Sequence, residues 1–238
     1  MTSDRRRSGP DARRLTLRTP AGRPADLAAD RDRALTLINV SRETLDRLDR
    51  YVATLLTWQQ RINLIAPSTE PKIWTRHIVD SLQLLALAPQ ARSWVDLGSG
   101  GGFPGLAIGC ALADVPKARV HLVESSTKKA AFLREATRII GAPAEVHAVR
   151  IEDFVENFSA PVDVVTARAL APLAELLAAA YPLLKTGAVG LFPKGQDVGS
   201  ELTQAAKCWT IRSSLAPSLT DPKGQIVCIT SIEPISQP

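Results

Sequence analysis

The sequence is poor in cysteine: Cys110, Cys208 and Cys228 are the only three in 238 residues. The number is odd, the positions lie far apart, and none has the short paired spacing of a zinc site or a disulfide framework. A chain that folds without cross-links in a reducing cytosol is the expectation, hence a cytoplasmic protein. Long apolar runs are lacking too. No stretch approaches the roughly 18 apolar residues that a membrane span requires, and the Arg-rich start has no apolar segment behind it. Neither membrane insertion nor secretion is expected, and five Asp among the first 38 residues argue against a transit peptide. Internal repeats and low-complexity tracts are also missing.

What is present is ordinary for a globular chain: 45% hydrophobic and 22% charged residues, enough for one principal domain with a sizeable core. The formal net charge of +5 admits a polyanionic partner. Nine Arg against five Asp in residues 1–38 put most of that excess at the amino end. This segment has no sustained apolar period and reads as a disordered basic tail. Residues 39–92 read as a helical cap, and residues 93–238 as the core.

In the cap, Leu45, Leu48, Val52, Leu55, Leu56 and Ile62 recur at helical spacing behind a possible N-cap at Ser41. A second helix is expected from about Pro71 through Leu85. Beyond Arg92 the pattern alternates. Strands are expected at 93–97, 119–123, 144–149, 162–167 and 188–193, with helical stretches between them such as Thr127 to Ile140, stopped by Gly141. Such alternation implies an α/β fold, a mostly parallel Rossmann-like sheet covered on both faces. Two last strands, 208–215 and 225–232, have no helix between them and imply an antiparallel closing hairpin.

The stretch "WVDLGSGGGFPG", Trp94 to Gly105, crowds five glycines behind an apolar run ending in a carboxylate. A glycine-rich turn after the first strand lets backbone approach a ligand at the carboxyl edge of the sheet. Two ligand classes fit its spelling. Gly100, Gly102 and Gly105 satisfy the G-x-G-x-x-G of dinucleotide enzymes, whereas Asp96, Gly98, Gly100 and Gly102 satisfy the acid-x-G-x-G-x-G of S-adenosylmethionine enzymes. A carboxylate at the strand tip disfavours a pyrophosphate and attracts an ammonium and a sulfonium. Glu124, ending the second strand, suits a ribose in either class. The antiparallel hairpin tips the balance toward methyl transfer.

With "WQQRINLIAPS", "RHIVDSL", "VDLGSGGGFPG", "ARALAPL" and "FPKGQ" in this order, the stretch from about Leu45 to Ile232 resembles the bacterial small-subunit ribosomal RNA guanine-N7 methyltransferases, once called glucose-inhibited division protein B. The resemblance implies a class I S-adenosyl-L-methionine methyltransferase with an amino-terminal helical cap, acting on the N7 of a guanine in the decoding region of 16S ribosomal RNA. It implies a cofactor pocket of Asp96, Gly98, Gly100, Phe103 and Glu124, with Ile151 and Glu152 beside the adenine. Arg168, after the fourth strand, becomes the residue expected to align cofactor and guanine, as both cofactor-binding and catalytic residue. The partner is the 30S subunit or its RNA, and a monomer is expected.

Other readings remain for the same residues. Arg168 could be a structural ion pair, Arg76 and Asp80 a helical pair, His77 a packed imidazole, and Lys194 either a phosphate contact or a solvated lysine. The Asn/Asp-Pro-Pro-aromatic loop of exocyclic-amine methylation is missing after the fourth strand, where "TARALAP" stands. None of the three cysteines is placed as the nucleophile for carbon-5 chemistry. Guanine N7 already has a free lone pair, so neither a general base nor a metal is expected.

Overall fold

Short β-branched runs alternating with helical periods build a sheet whose sequence order reverses at its middle. The structure, a computed structural model, describes residues 24–235. Five strands run parallel: β1 (Ser93–Leu97), β2 (Arg119–Val123), β3 (Ala144–His147), β4 (Val164–Thr166) and β5 (Val189–Lys194). β6 (Trp209–Pro217) and β7 (Gln225–Pro234) form the antiparallel hairpin, with β7 against β5. The order is β3-β2-β1-β4-β5-β7-β6. The turn after β1 therefore lies where crossovers leave in opposite directions, the place where open α/β sheets bind ligands.

Period-two alternation separates two cores. Trp94, Val120, Leu122 and Val164 face one way and join a cluster with Leu48, Tyr51, Leu55, Ile108 and Phe132. These come from helices α2 (Arg42–Gln59), α5 (Gly105–Leu112) and α6 (Thr127–Ile140). Val95, Leu97, Val123 and Val165 face the other way, toward α7 (Ile151–Asn157), α8 (Leu173–Leu184) and α9 (Val198–Ala205). Local signals set the helix ends. Ser41 caps α2 by accepting from Thr44 N, Ser126 caps α6, and Gly141 closes α6 at φ 67° in the left-handed region.

The expected tail is corrected in part. Residues 1–23 lie outside the described residues, but Pro24–Leu37 form a helix, α1, docked on the cap. Its fully buried positions are only Asp30 and Ala34, so it shows almost no apolar period. Polar bonds anchor it instead. The Asp30 carboxylate accepts from Trp74 N (2.9 Å), Thr75 N (3.1 Å) and Thr75 Oγ1 (2.7 Å). Arg31 grips Asp49 through two bonds of 2.7 Å and lies over the Trp74 ring.

A second difference concerns the helix expected from Pro71. The chain makes a 3₁₀ turn (Pro67–Lys72), a widened π turn (Trp74–Val79), and two short α pieces, α3 (Asp80–Leu82) and α4 (Leu84–Leu87). Pro71 falls inside the 3₁₀ turn instead of opening a helix, and the amides of Trp74 and Thr75 bond outward to Asp30. The π turn is the part of the cap that reaches the site.

Candidate functional site

The β1 turn is held open by backbone that only glycine adopts readily: φ is 72° at Gly98, 54° at Gly100 and 87° at Gly102. The amides of Gly98 and Ser99 both donate to Val123 O on β2, at 2.9 Å. The cap presses on the turn from above, with the buried Tyr51 hydroxyl donating to Gly101 O. A Cβ at Gly102 would lie 2.6 Å from that hydroxyl, so a side chain there would lift the cap.

Two carboxylates stand at the strand tips in different roles. Asp96 is fully buried and its Oδ2 accepts from Gly105 N at 3.0 Å, fixing the start of α5. Its Oδ1 has no hydrogen-bond partner among the described residues. Burial raises this carboxyl to about 6, against the pull of the Gly105 bond. Glu124 is nearly buried. Its Oε2 accepts from Gly100 N at 2.9 Å and its Oε1 from Ser126 N at 2.7 Å. A carboxylate offers about four lone-pair sites, so two remain for a ligand.

A cleft of about 360 Å³ opens beside the turn, and Gly98, Gly100, Glu124, Ile151 and Glu152 line it, with Leu170 opposite. Five of the residues expected in the pocket thus come together. Asp96 and Phe103 do not line it. Phe103 is buried beneath the cap, stacked on His77 at 4.9 Å between centroids and packed on Tyr51 at 5.2 Å. Ile151 and Glu152 open α7, whose acidic first turn also suits the helix dipole.

Arg168 lies across the sheet edge from that cleft. Its guanidinium donates to Arg76 O (3.0 Å) and to His77 Nδ1 (2.6 Å), covers the Phe103 ring at 5.3 Å and sits 3.8 Å from the Asp80 carboxylate. Arginine has no acceptor, so His77 Nδ1 must accept, and its proton resides on Nε2, facing Thr69 Oγ1 at 2.8 Å. Burial first, then the charges of Arg168 and Arg76, push His77 down to about 3. This imidazole is a neutral brace at physiological pH. Arg76 pairs with Asp221 at 3.2 Å rather than with Asp80, which instead accepts from Thr220 and Gln83.

A larger cleft, about 720 Å³, adjoins the first and is lined by Arg76, Asp80, Arg168, Lys194, Asp221 and Gln225. Lys194 is neither free nor solvated. Its ammonium donates to Ala171 O (2.9 Å) and to Glu201 (2.7 Å), and Glu201 also accepts from Leu173 N at 2.6 Å. This clamp fixes the loop after β4. Ala169 and Leu170 in that loop face both clefts, Ala169 at a positive φ of 51°. Sequence patterning missed Tyr51, Leu170 and the Lys194–Glu201 clamp, because each depends on a distant element.

Sheet order, glycine turn and antiparallel hairpin together define a Rossmann-like class I methyltransferase fold. Solved structures share it: the O-methyltransferase TomG from Streptomyces achromogenes (TM-score 0.56, 16% identity, 86% of this chain and 96% of that one) and an O-methyltransferase from Bacillus cereus (TM-score 0.54, 15% identity, 87% and 99%). At the level of sequence, the family model described as rRNA small subunit methyltransferase G matches residues 44–226. Proteins named ribosomal RNA small subunit methyltransferase G match as well. One from Bradyrhizobium sp. is 61% identical over 207 residues, 87% of this chain and 93% of the relative. Another from Rhodopseudomonas palustris is 55% identical over 214 residues, 90% and 92%. The chain belongs to the rRNA small subunit methyltransferase G family.

Proposed function

We propose that this protein transfers a methyl group from S-adenosyl-L-methionine to the N7 of a guanine in the decoding region of 16S ribosomal RNA, acting as a cytoplasmic monomer on the 30S subunit or its RNA. The observation that carries the reading is the pair of clefts meeting at Ala169 and Leu170, one lined by glycine turn and carboxylates, the other by Arg76 and Arg168. Among the described residues no helix is long and apolar enough to cross a membrane.

The residues fit the cofactor. Gly98 and Gly100 line the smaller cleft with backbone in the left-handed region, and the unused lone pairs of Glu124 can take the ribose hydroxyls. Ile151 supplies an apolar wall for an adenine, and the Glu152 carboxylate an acceptor for its amino group. Asp96, beneath the turn with one oxygen unpartnered, holds negative potential where a cationic ligand gains from it. When bound, S-adenosylmethionine supplies an electrophilic methyl on a cationic sulfur.

The chain's own task is then positioning. Arg168, held by Arg76 O and His77, presents a fixed planar group to the larger cleft, one residue before the point where the two clefts meet. Guanine N7 carries a lone pair and loses no proton, in keeping with a site whose histidine has its free lone pair, on Nδ1, taken up by Arg168. The cysteines support the same choice. Burial pushes Cys110 up to about 12, so no thiolate is on hand there, and Cys208 and Cys228 line neither cleft.

The deciding experiment maps N7-methylguanine in 16S RNA from cells with and without the gene. Loss of one N7-methylguanine in the decoding region is expected, and an unchanged map would overturn the substrate. Calorimetry with S-adenosylhomocysteine and with NAD(P) tests the cofactor separately. Binding of the nicotinamide alone would restore the dinucleotide reading.

A further inference from the structure

On the α7 face of the sheet, outside the lining of either cleft, three metal-ligating side chains converge. His121 lies on β2, Glu145 and His147 on the edge strand β3. The parallel register pairs His121 with Glu145, and residues two apart on a strand share a face. All three side chains therefore point to the α7 side of the sheet. His121 Nδ1 and His147 Nε2 are 3.1 Å apart, and the Glu145 carboxylate oxygens stand 3.8 Å and 3.9 Å from them. No other such trio of ligand atoms gathers within 4.8 Å among the described residues.

We propose that His121, Glu145 and His147 form a binding site for a borderline divalent cation, zinc above all. Ligand atoms about 2.0 to 2.1 Å from one tetrahedral ion lie roughly 3.3 to 3.4 Å from each other. The two nitrogens, 3.1 Å apart, need part only by a few tenths of an ångström. The Glu145 side chain is 67% exposed and free to swing inward by the remaining fraction of an ångström. Two imidazoles and one carboxylate select zinc, cobalt or nickel over magnesium or calcium, which want oxygen. The side on which Glu145 meets solvent leaves the fourth position to water.

The surroundings suit an ion that stays. The Phe158 ring lies edge-on to His121 at 4.7 Å, Phe154 packs on His147 at 4.8 Å, and the two phenyl rings stack at 4.6 Å. This aromatic wall fixes both imidazole planes and keeps water from one flank of the site. The ion would rivet the edge strand β3 to β2. Ile151 and Glu152, which line the smaller cleft, follow His147 within five residues. The site is thus structural and takes no part in methyl transfer.

The test uses the untagged full-length chain, stripped with chelator and titrated with zinc chloride by calorimetry and with cobalt chloride by absorption. One equivalent of zinc is expected to bind at micromolar affinity or tighter and to raise the melting temperature. Cobalt should give the visible bands of a four- or five-coordinate ion. Glu145→Gln, at an exposed position, and His147→Gln should each weaken binding at least tenfold and abolish the thermal shift. If Glu145→Gln alone folds, it decides the matter. Absence of stoichiometric zinc binding, or binding equally tight in both variants, would leave a plain histidine–histidine hydrogen bond and overturn the proposal. Neither result depends on RNA or on the methyl donor.

Discussion

His77 gives a pH-dependent stability that can be worked from its surroundings and isolated by one substitution. Its folded imidazole is pushed down to about 3 from an ordinary 6.5, by burial and then by Arg168 and Arg76. The unfolded chain therefore binds the proton more readily, and the stability contributed by neutral His77 is present above pH 6.5 and lost as pH falls toward 3. Between pH 7.5 and pH 5 the loss amounts to about 2 kcal/mol. Asp96 works the other way. Raised by burial from 3.8 to about 6, it binds its proton more readily when folded and returns about 1 kcal/mol over the same interval. The wild-type profile is then shallow, and only a comparison reveals the histidine. His77→Asn keeps an acceptor for Arg168 but cannot titrate. Urea unfolding followed by tryptophan fluorescence at both pH values should show the variant less stable at pH 7.5, with the gap narrowing by about 2 kcal/mol at pH 5. A gap that differs by less than about 0.5 kcal/mol between the two would mean that His77 protonates freely and that Arg168 does not clamp it.

Three further outcomes are expected. Asp30→Ala leaves the Trp74 and Thr75 amides without their acceptor and should cost about 2 to 3 kcal/mol in chemical denaturation, whereas no change would return α1 to the status of a tail. Glu124→Ala should weaken S-adenosylhomocysteine binding by about 1.5 to 3 kcal/mol in calorimetry, and unaltered affinity would place the ribose elsewhere. Arg168→Lys keeps the charge but loses the planar fork that spans Arg76 O and His77. Methyl transfer to 30S subunits should fall at least about tenfold, close to 1.4 kcal/mol of barrier, and stability by about 1 to 2 kcal/mol. Wild-type turnover in that variant would remove Arg168 from the site.

The sheet was legible because its signals are local. Alternation marks β1 and β2 to the residue, Ser41 announces a helix start by the chemistry of its side chain, and Gly141 a helix end by lacking one. Glu124, Gly98 and Gly100 could be placed because the ends of parallel strands lie side by side, whereas Ile151 and Glu152, which open α7, were expected only through the resemblance. What stayed hidden needed partners far along the chain. α1 carries almost no apolar stripe, and Asp30 reaches amides 44 and 45 residues away. Phe103 sits in a glycine-rich motif, yet the π turn of the cap buries it under His77. The metal-ligating trio depends on the register of β2 against β3, which no spacing in the sequence encodes.

Ala169 and Leu170 act as a thin partition between two chambers. A Cβ built on Gly98 would meet Leu170 Cδ1 at 2.7 Å, so this side chain leans against the floor of the smaller chamber while also facing the larger. An occupant that pushes Leu170 aside on one side changes the shape offered on the other. Linkage makes such an effect mutual: whatever factor the first occupant applies to the affinity of the second, the second applies to the first. The coupling between the two chambers is consequently written into two residues, and it can be read from how the occupant of one alters the dissociation constant of the other.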